Sequence, residues 1–271
     1  MKDDFLFRDV PALERRVFRL GLAVNYGVEG SDLEWALEQG MNYVFWTPHA
    51  RRVTNALKSA MKRDRESLIL ACGPTTGYFG GGIRRAADRL RKELDTDYID
   101  VFQIFWLGRT SAWTPSTIDA LVSLRESGVV RAIGVSIHDR KRAGMLAEDS
   151  PLDLFMVRYN AAHPGAEQDI FPHLAKRKPA VVAYTATRWR GLLNRPKGWD
   201  GRAMTASDCY RFCLSNAHVD LVLTGPKDRL QLQENLHNLR EKGPLTEEEN
   251  RWIRDYGQMV HRNSSRFTFR F

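Results

Sequence analysis

Residues 98–106, YIDVFQIFW, decide how the chain folds. The stretch is rich in β-branched and aromatic residues and follows an Asp-Thr-Asp turn, so it reads as a strand. A basic helical segment, residues 84–94, precedes it, and the loop LGRTSAWTP follows. In a barrel of parallel strands, the carboxyl end of each strand opens into the mouth where chemistry is done. Phe105 and Trp106 therefore stand where reactive groups are expected, and neither can move a proton.

Outward from this strand the alternation is unbroken. Upstream, residues 5–10 and 16–24 are short apolar segments that suit a hairpin leading into the first barrel strand. A helix follows up to residue 40, with Ser31 and Asp32 as N-cap candidates and Gly40 as a stop. Residues 42–46 read as a strand, 53–61 as a helix and 67–72 as a strand; the glycine-rich TGYFGGG, residues 76–82, leads into the next helix. Downstream, helices are expected at 115–127, 139–147, 168–176, 206–214, 230–242 and 247–260. Strands are expected at 130–136, 152–159, 180–184 and 219–224. Strand–helix units of this kind call for a parallel sheet covered by helices. Eight of them in 271 residues favour a closed (β/α)8 TIM barrel, with an N-terminal hairpin, over an open sheet. The missing GxGxxG after the first strand counts against a doubly wound dinucleotide fold. No linker or low-complexity tract interrupts the pattern, so one barrel domain over residues 1–271 is expected.

Composition bounds the partners. Lys plus Arg number 41 against 33 acids, a net charge of +8, but acids separate most of the bases. Solvated helix faces explain that pattern first, a phosphate-bearing small ligand second and nucleic acid third. No apolar run is long enough for a membrane span, and the acidic start MKDDFLFRD does not suit a signal peptide. The expectation is a cytoplasmic protein. Cys72, Cys209 and Cys213 lack metal-site spacing and read as buried thiols.

Several stretches resemble one family, the aldo-keto reductases: LGLA (20–23), GMNYVFWT (40–47), DTDYIDVFQI (95–104), GVVRAIGVS (128–136), VRYNAAHPGAEQDIFPHL (157–174), VVAYTA (181–186) and TGPKDRLQLQENL (224–236). The resemblance implies a (β/α)8 barrel that binds NADP(H) across its mouth and reduces aldehydes and ketones. It also implies an Asp, Tyr, Lys and His set in which tyrosine is the acid, tuned down from its ordinary pKa of about 10. At the matching positions this chain has Trp46, Arg51, Gly73 and Phe105. All four are substituted, and the neighbours Thr47, Ala50, Arg52, Cys72, Pro74 and Trp106 supply no replacement tyrosine, lysine or histidine.

Tyr26, Tyr78, Tyr159, His49, His138 and His163 are the other proton-bearing candidates, and Trp46, Phe105 and Trp106 either fill the mouth or form a platform for a flat ligand. For the cofactor, the resemblance implies that Ser136 contacts the carboxamide and Tyr184 stacks on the nicotinamide. It implies that Gly225, Pro226, Lys227 and Gln231 hold the 2′-phosphate, and that Glu234 and Asn235 hold the adenine. Arg229 and Arg188 are placed to add charge. Ile137 and Met156 replace an expected asparagine and glutamine. Two readings follow. One is an NADP(H)-binding oxidoreductase whose standard carbonyl chemistry is absent or very weak, or which uses a non-standard acid. The other is a non-catalytic nucleotide-binding or interaction protein on the same barrel, a pseudoenzyme.

Overall fold

The computed structural model describes residues 5–74, 81–109 and 111–265. An antiparallel hairpin, β1 (Phe7–Val10) and β2 (Arg15–Phe18), comes first. Glu14 takes a left-handed conformation at its turn. The barrel strands are β3 (Leu20–Ala23), β4 (Tyr43–Trp46), β5 (Ile69–Cys72), β6 (Ile99–Leu107), β7 (Val130–Ile137), β8 (Leu154–Arg158), β9 (Ala180–Tyr184) and β10 (Leu221–Thr224). They pair in parallel and in sequence order, and β10 closes on β3. The helices between and after them are α1 (Gly30–Glu38), α2 (Arg51–Arg63), α3 (Gly81–Leu94), α4 (Pro115–Glu126), α5 (Arg140–Glu148), α6 (Ala166–Asp169), α7 (Ala206–Leu214), α8 (Arg229–Lys242) and α9 (Glu247–Ser265). None among the described residues is long and apolar enough to cross a membrane.

Two expectations change in detail. Residues 16–24 divide into β2 and β3, so one apolar stretch serves both the hairpin and the barrel. The helix expected at 168–176 is only the short α6 and a 3-10 turn, Phe171–His173. Pro172 has no N–H to donate back to Gln168 O, so α6 cannot continue through it.

Alternation sorts each strand into two faces. Tyr43, Ile69, Ala71, Val101, Ala132, Leu154, Met156, Ala180, Val182 and Leu221 fill the lumen, and Val10, Leu13 and Val17 of the hairpin region plug its amino-terminal end. The intervening residues, Val44, Leu70, Phe102, Ile133, Phe155 and Val181 among them, face the helices.

Side chains hold several strand amides. A buried strand N–H that the ladder leaves unpaired needs another acceptor. Asn42 Oδ1 accepts from Phe18 N at 2.9 Å, and Asp100 Oδ2 from Leu70 N at 2.8 Å. Asp153 Oδ2 accepts from Ile133 N at 2.9 Å, and Asp220 Oδ2 from Val181 N at 2.7 Å. Each carboxylate also meets an arginine: Arg65 at 2.7 Å, Arg125 at 2.7 Å and Arg8 at 3.3 Å, respectively. Tyr98 lies between the guanidiniums of Arg65 and Arg131, which stand 3.8 and 3.9 Å from its ring centre. The first residue of the opening stretch thus anchors the closed end of the barrel, and the last ones form the open end.

Candidate functional site at the barrel mouth

Strand register decides which side chains reach the mouth. On β4, Tyr43 and Phe45 turn inward while Val44 and Trp46 turn outward. Trp46 is fully buried in the helix layer, where its Nε1 donates to Thr54 Oγ1 at 3.1 Å. The expectation that Trp46 faces the mouth is corrected: Phe45 is the lumen-facing residue at that level. Arg51 opens α2 with an exposed side chain. His49, two residues before it, is also exposed.

Gly73 follows β5 and has no room for a side chain. A Cβ there would lie 1.8 Å from Gln103 O and 3.3 Å from Phe105 Cε2. Phe105 packs against the lumen cluster and meets Phe45 edge to face, with ring centres 5.7 Å apart. The interior below is nearly all hydrocarbon. Gln103 is its polar exception, with Nε2 donating to Tyr43 Oη at 3.4 Å. Burial pushes the Tyr43 phenol far up, so it is a poor acid.

Trp106 ends the regular part of β6 with φ of 49° and 52% exposure. Left-handed backbone is costly for a bulky residue, by about 1–2 kcal/mol. The pairing of β6 with β7 slips at this point, between Ile104 and Leu107. Ser136 Oγ accepts from Trp106 N at 2.9 Å. Ser136 is itself 1% exposed, so its hydroxyl already serves the fold.

Tyr184 and Arg158, paired in register at the ends of β9 and β8, form the opposite rim. Tyr184 Oη contacts His138 Nε2 at 2.9 Å. Burial pushes the Tyr184 phenol up to about 12, against an opposing pull from Arg158. Loss of solvent, with the cations Arg158 and Arg109 nearby, pushes His138 below its usual range. This pair is therefore a neutral imidazole and a neutral phenol near pH 7. Tyr159 is not at the rim. Its ring stacks on Phe212, 5.3 Å away, and its hydroxyl donates to Glu167 Oε1 at 2.5 Å. Cys72 and Thr224 also end strands but face the helix layer. Tyr78 lies outside the described residues.

The loop after β10 brings together Gly225, Pro226, Lys227 and Gln231, with Glu234 and Asn235 one turn further along α8. Asp228 caps α8 by accepting from Gln231 N at 2.9 Å, and Gln231 Oε1 accepts from Lys227 N at 3.0 Å. Asn235 donates to Thr224 Oγ1 at 3.2 Å, and Glu234 is exposed. Arg229 is turned away to Asp32 at 2.7 Å, while the Lys227 side chain is 67% exposed. Tyr26 covers this loop: a Cβ on Gly225 would come within 2.4 Å of its ring.

Among the described residues, no carboxylate–lysine pair stands beside the lumen. The profile of the aldo/keto reductase family matches residues 53–208. The chain belongs to the aldo/keto reductase family. Aldo-keto reductase YhdN of Bacillus subtilis is 28% identical over 175 residues, covering 58% of this chain and 51% of that protein. The match thus spans about half of that curated relative's length. Among solved structures, the holo form of aldo-keto reductase AKR11C1 from Bacillus halodurans superposes with a TM-score of 0.74 at 22% identity, over 92% of this chain and 95% of that one. An aldo/keto reductase from Klebsiella pneumoniae in complex with NADP and acetate does so at 0.76 and 18% identity, over 93% and 95%. At such identities the structures bear on the fold, which is the family's barrel.

Sequence reading named the loop after β10, Ser136 and Tyr184 for the cofactor, and it did not single out Phe45 or Arg158. Arg158 stands two residues on from Met156 on the same strand face, whereas the phase of β4 that turns Phe45 inward is set by packing.

Proposed function

We propose that this family member binds NADP(H) across the barrel mouth and performs the family's standard carbonyl reduction very slowly or not at all. The observation that carries the proposal is Gly73, where a side chain would strike Gln103 O at 1.8 Å. The resemblance puts the lysine that tunes the acid at this position, and no lysine can stand there. Phe45 and Phe105 occupy the neighbouring lumen positions with aromatic rings. The cofactor half of the proposal is supported by the exposed Lys227 beside the start of α8 and by the NADP held in the Klebsiella structure. A helix start and an ammonium both favour a phosphate dianion.

Calorimetry with NADPH, NADH and adenosine 2′,5′-bisphosphate tests the cofactor half. NADPH is expected to bind more tightly than NADH, and salt is expected to narrow the gap, because the extra contact is a charge pair. Lys227→Ala should narrow it too. Equal affinities in the unmodified protein would remove the 2′-phosphate site.

The Tyr184–His138 contact favours a second reading, a slow reductase with a non-standard acid. Tyr184→Phe and His138→Gln would then abolish whatever NADPH oxidation the unmodified protein shows. If that rate is unchanged in both variants, this pair is not the donor.

A further inference from the structure

Along most of the chain acids separate the bases, but α2 is an exception. Its thirteen residues, RRVTNALKSAMKR, hold five cations and no acid. Its neighbour α3 holds five cations against two acids, Asp88 and Glu93. The two helices pack side by side. Their ten cations against two acids carry an excess equal to the net charge of the whole chain, +8, so the other residues together are neutral. Each helix buries one apolar stripe, Val53, Leu57, Ala60 and Met61 on α2 and Ile83, Ala87, Leu90 and Leu94 on α3. Helical spacing then gathers cations on the outer side. Arg51 and Lys62 lie about three turns apart, and Arg85 and Lys92 about two. These four, with Arg52, Arg63 and Arg84, are exposed.

Little of this charge is neutralised. Arg52 meets Glu29 at 3.0 Å, and Arg91 meets Asp88 at 2.9 Å. Among the described residues, Arg51, Lys62, Arg63, Arg84, Arg85 and Lys92 have no carboxylate within 4.0 Å. Elsewhere arginines are paired: Arg125, Arg140 and Arg211 each hold a carboxylate at 2.7 Å, and Arg254 does so at 2.8 Å. Like charges gathered on one face repel one another, which a polyanion would relieve. The face has an edge. On the other side of α2 from α3 lies α1, which carries Asp32, Glu34 and Glu38 and no cation. The face also lacks apolar contact points. Among the described residues, the exposed large hydrophobic side chains are Tyr26, Trp106, Met145, Trp189 and Leu230, all on other elements.

We propose that the α2–α3 face docks double-stranded DNA through its phosphates, without reading sequence. Lysine and arginine supply the sequence-independent part of DNA binding. What the face lacks selects this partner. Stable docking on a bilayer takes an inserted apolar face or a lipid chain besides a basic patch. A protein partner takes an interface whose buried centre is apolar and aromatic. Single strands take aromatic side chains on which bases stack. Duplex RNA is recognised in part through its 2′-hydroxyls, and a face built mainly of donors offers few acceptors for their protons. The size also fits. At 1.5 Å per residue, helices of 13 and 14 residues are about 20 Å long. A duplex carries one charge per about 1.7 Å of its axis and turns about half of them to any one side, so the face meets about six phosphates. The face belongs to the outer helix ring and not to the loop after β10, so the inference does not rest on NADP(H) binding.

The test is fluorescence anisotropy with a short mixed-sequence DNA duplex at increasing salt. Saturable binding is expected, with log K falling against log salt at a slope of about −5. The variant Lys62→Gln, Arg63→Gln, Arg85→Gln, Lys92→Gln should weaken binding about tenfold or more and flatten the slope by about 3. A control that removes the same charge from other exposed positions, Lys176→Gln, Arg177→Gln, Lys178→Gln, Lys242→Gln, should stay within about twofold. Saturating NADPH and Lys227→Ala should each leave the duplex affinity unchanged, which separates this face from the nucleotide proposal. The inference is overturned if the duplex shows no saturable binding at low salt, if the two charge variants lose affinity equally, or if NADPH displaces the duplex. It is equally overturned if single-stranded DNA, duplex RNA or phosphatidylserine vesicles bind the unmodified protein more tightly than duplex DNA does. The vesicle result would assign the face to a bilayer.

Discussion

A Cβ atom at Gly73 would stand 1.8 Å from Gln103 O, and that oxygen belongs to the backbone of the neighbouring strand. A flexible side chain could swing away; a paired strand cannot. Gly73→Ala is therefore expected to destabilise the protein near the upper end of the overpacking range, about 1–3 kcal/mol. In urea the midpoint should fall with the slope unchanged. A midpoint equal to that of the unmodified protein would show that the strand yields there. His163 makes a second prediction of the same scale. Burial, with Arg158 and Arg188 nearby, holds its folded pKa at about 4, below the unfolded value of about 6.5. The unfolded chain then takes up a proton first, so its stabilising contribution is complete above pH 6.5 and is lost as pH falls through about 4. His163→Gln should flatten the loss of stability between pH 7 and pH 4, read as the difference in urea midpoints. Parallel curves for the two proteins would exclude it. The residue the sequence misplaced is Trp46. The run YVFW is apolar on both faces, as strands buried on both sides are, so hydrophobicity carries no phase. Only the packing shows that Phe45 looks in and Trp46 looks out.

The elements themselves were legible because two signals coincided. Strand 180–184 and helix 206–214 have the expected bounds; one is an apolar β-branched run, and the structure shows the other capped by Thr205. Where Pro172 interrupts the expected helix 168–176, the residues after it do not form α-helix. Long-range side-chain bonds left no such trace. Asp100, 4% exposed, accepts from Leu70 N on the neighbouring strand and from Arg65, which also donates to Tyr98 O at 3.0 Å. Asp100→Ala would leave a strand amide without its acceptor and a mostly buried guanidinium without its carboxylate. Removing one partner of such a pair costs about 3–5 kcal/mol. Asp100→Asn should lose less, because the amide oxygen can still accept from Leu70 N. Equal losses for the two variants in chemical denaturation would mean that the charge, and not the strand stitch, carries the effect.

On the proposed reading, the barrel keeps its frame while its mouth lacks the groups that the family resemblance leads one to expect. The closed end is bound by arginines and carboxylates, the lumen is packed with hydrocarbon, and among the described residues the rim offers a neutral tyrosine–histidine pair. Hydride transfer to a carbonyl builds charge on its oxygen. A positioned proton donor is worth about 10²–10⁴ in rate, and oriented electrostatic groups about 10²–10³ more. Phe45, Gly73 and Phe105 supply neither. Starting from a typical turnover of about 10 per second, loss of these terms leaves about 10⁻³ per second or slower with NADPH and common aldehydes or dicarbonyls. Arg51 does not fill the gap, since a guanidinium is a poor proton donor. Restoring the set by Trp46→Asp, Arg51→Tyr, Gly73→Lys and Phe105→His is also expected to fail. The new aspartate would enter the helix layer in place of a buried indole, and the new lysine would collide with Gln103. Following NADPH absorbance with an aldehyde panel tests both statements. Turnover of the unmodified protein at about 1 per second or faster would mean that another group has taken over the proton, and Tyr184, His138 and Tyr26 would be the first to replace. Rapid turnover by the fourfold variant would mean that the strand ends can shift by a residue, which the packing of Trp46 against Thr54 opposes.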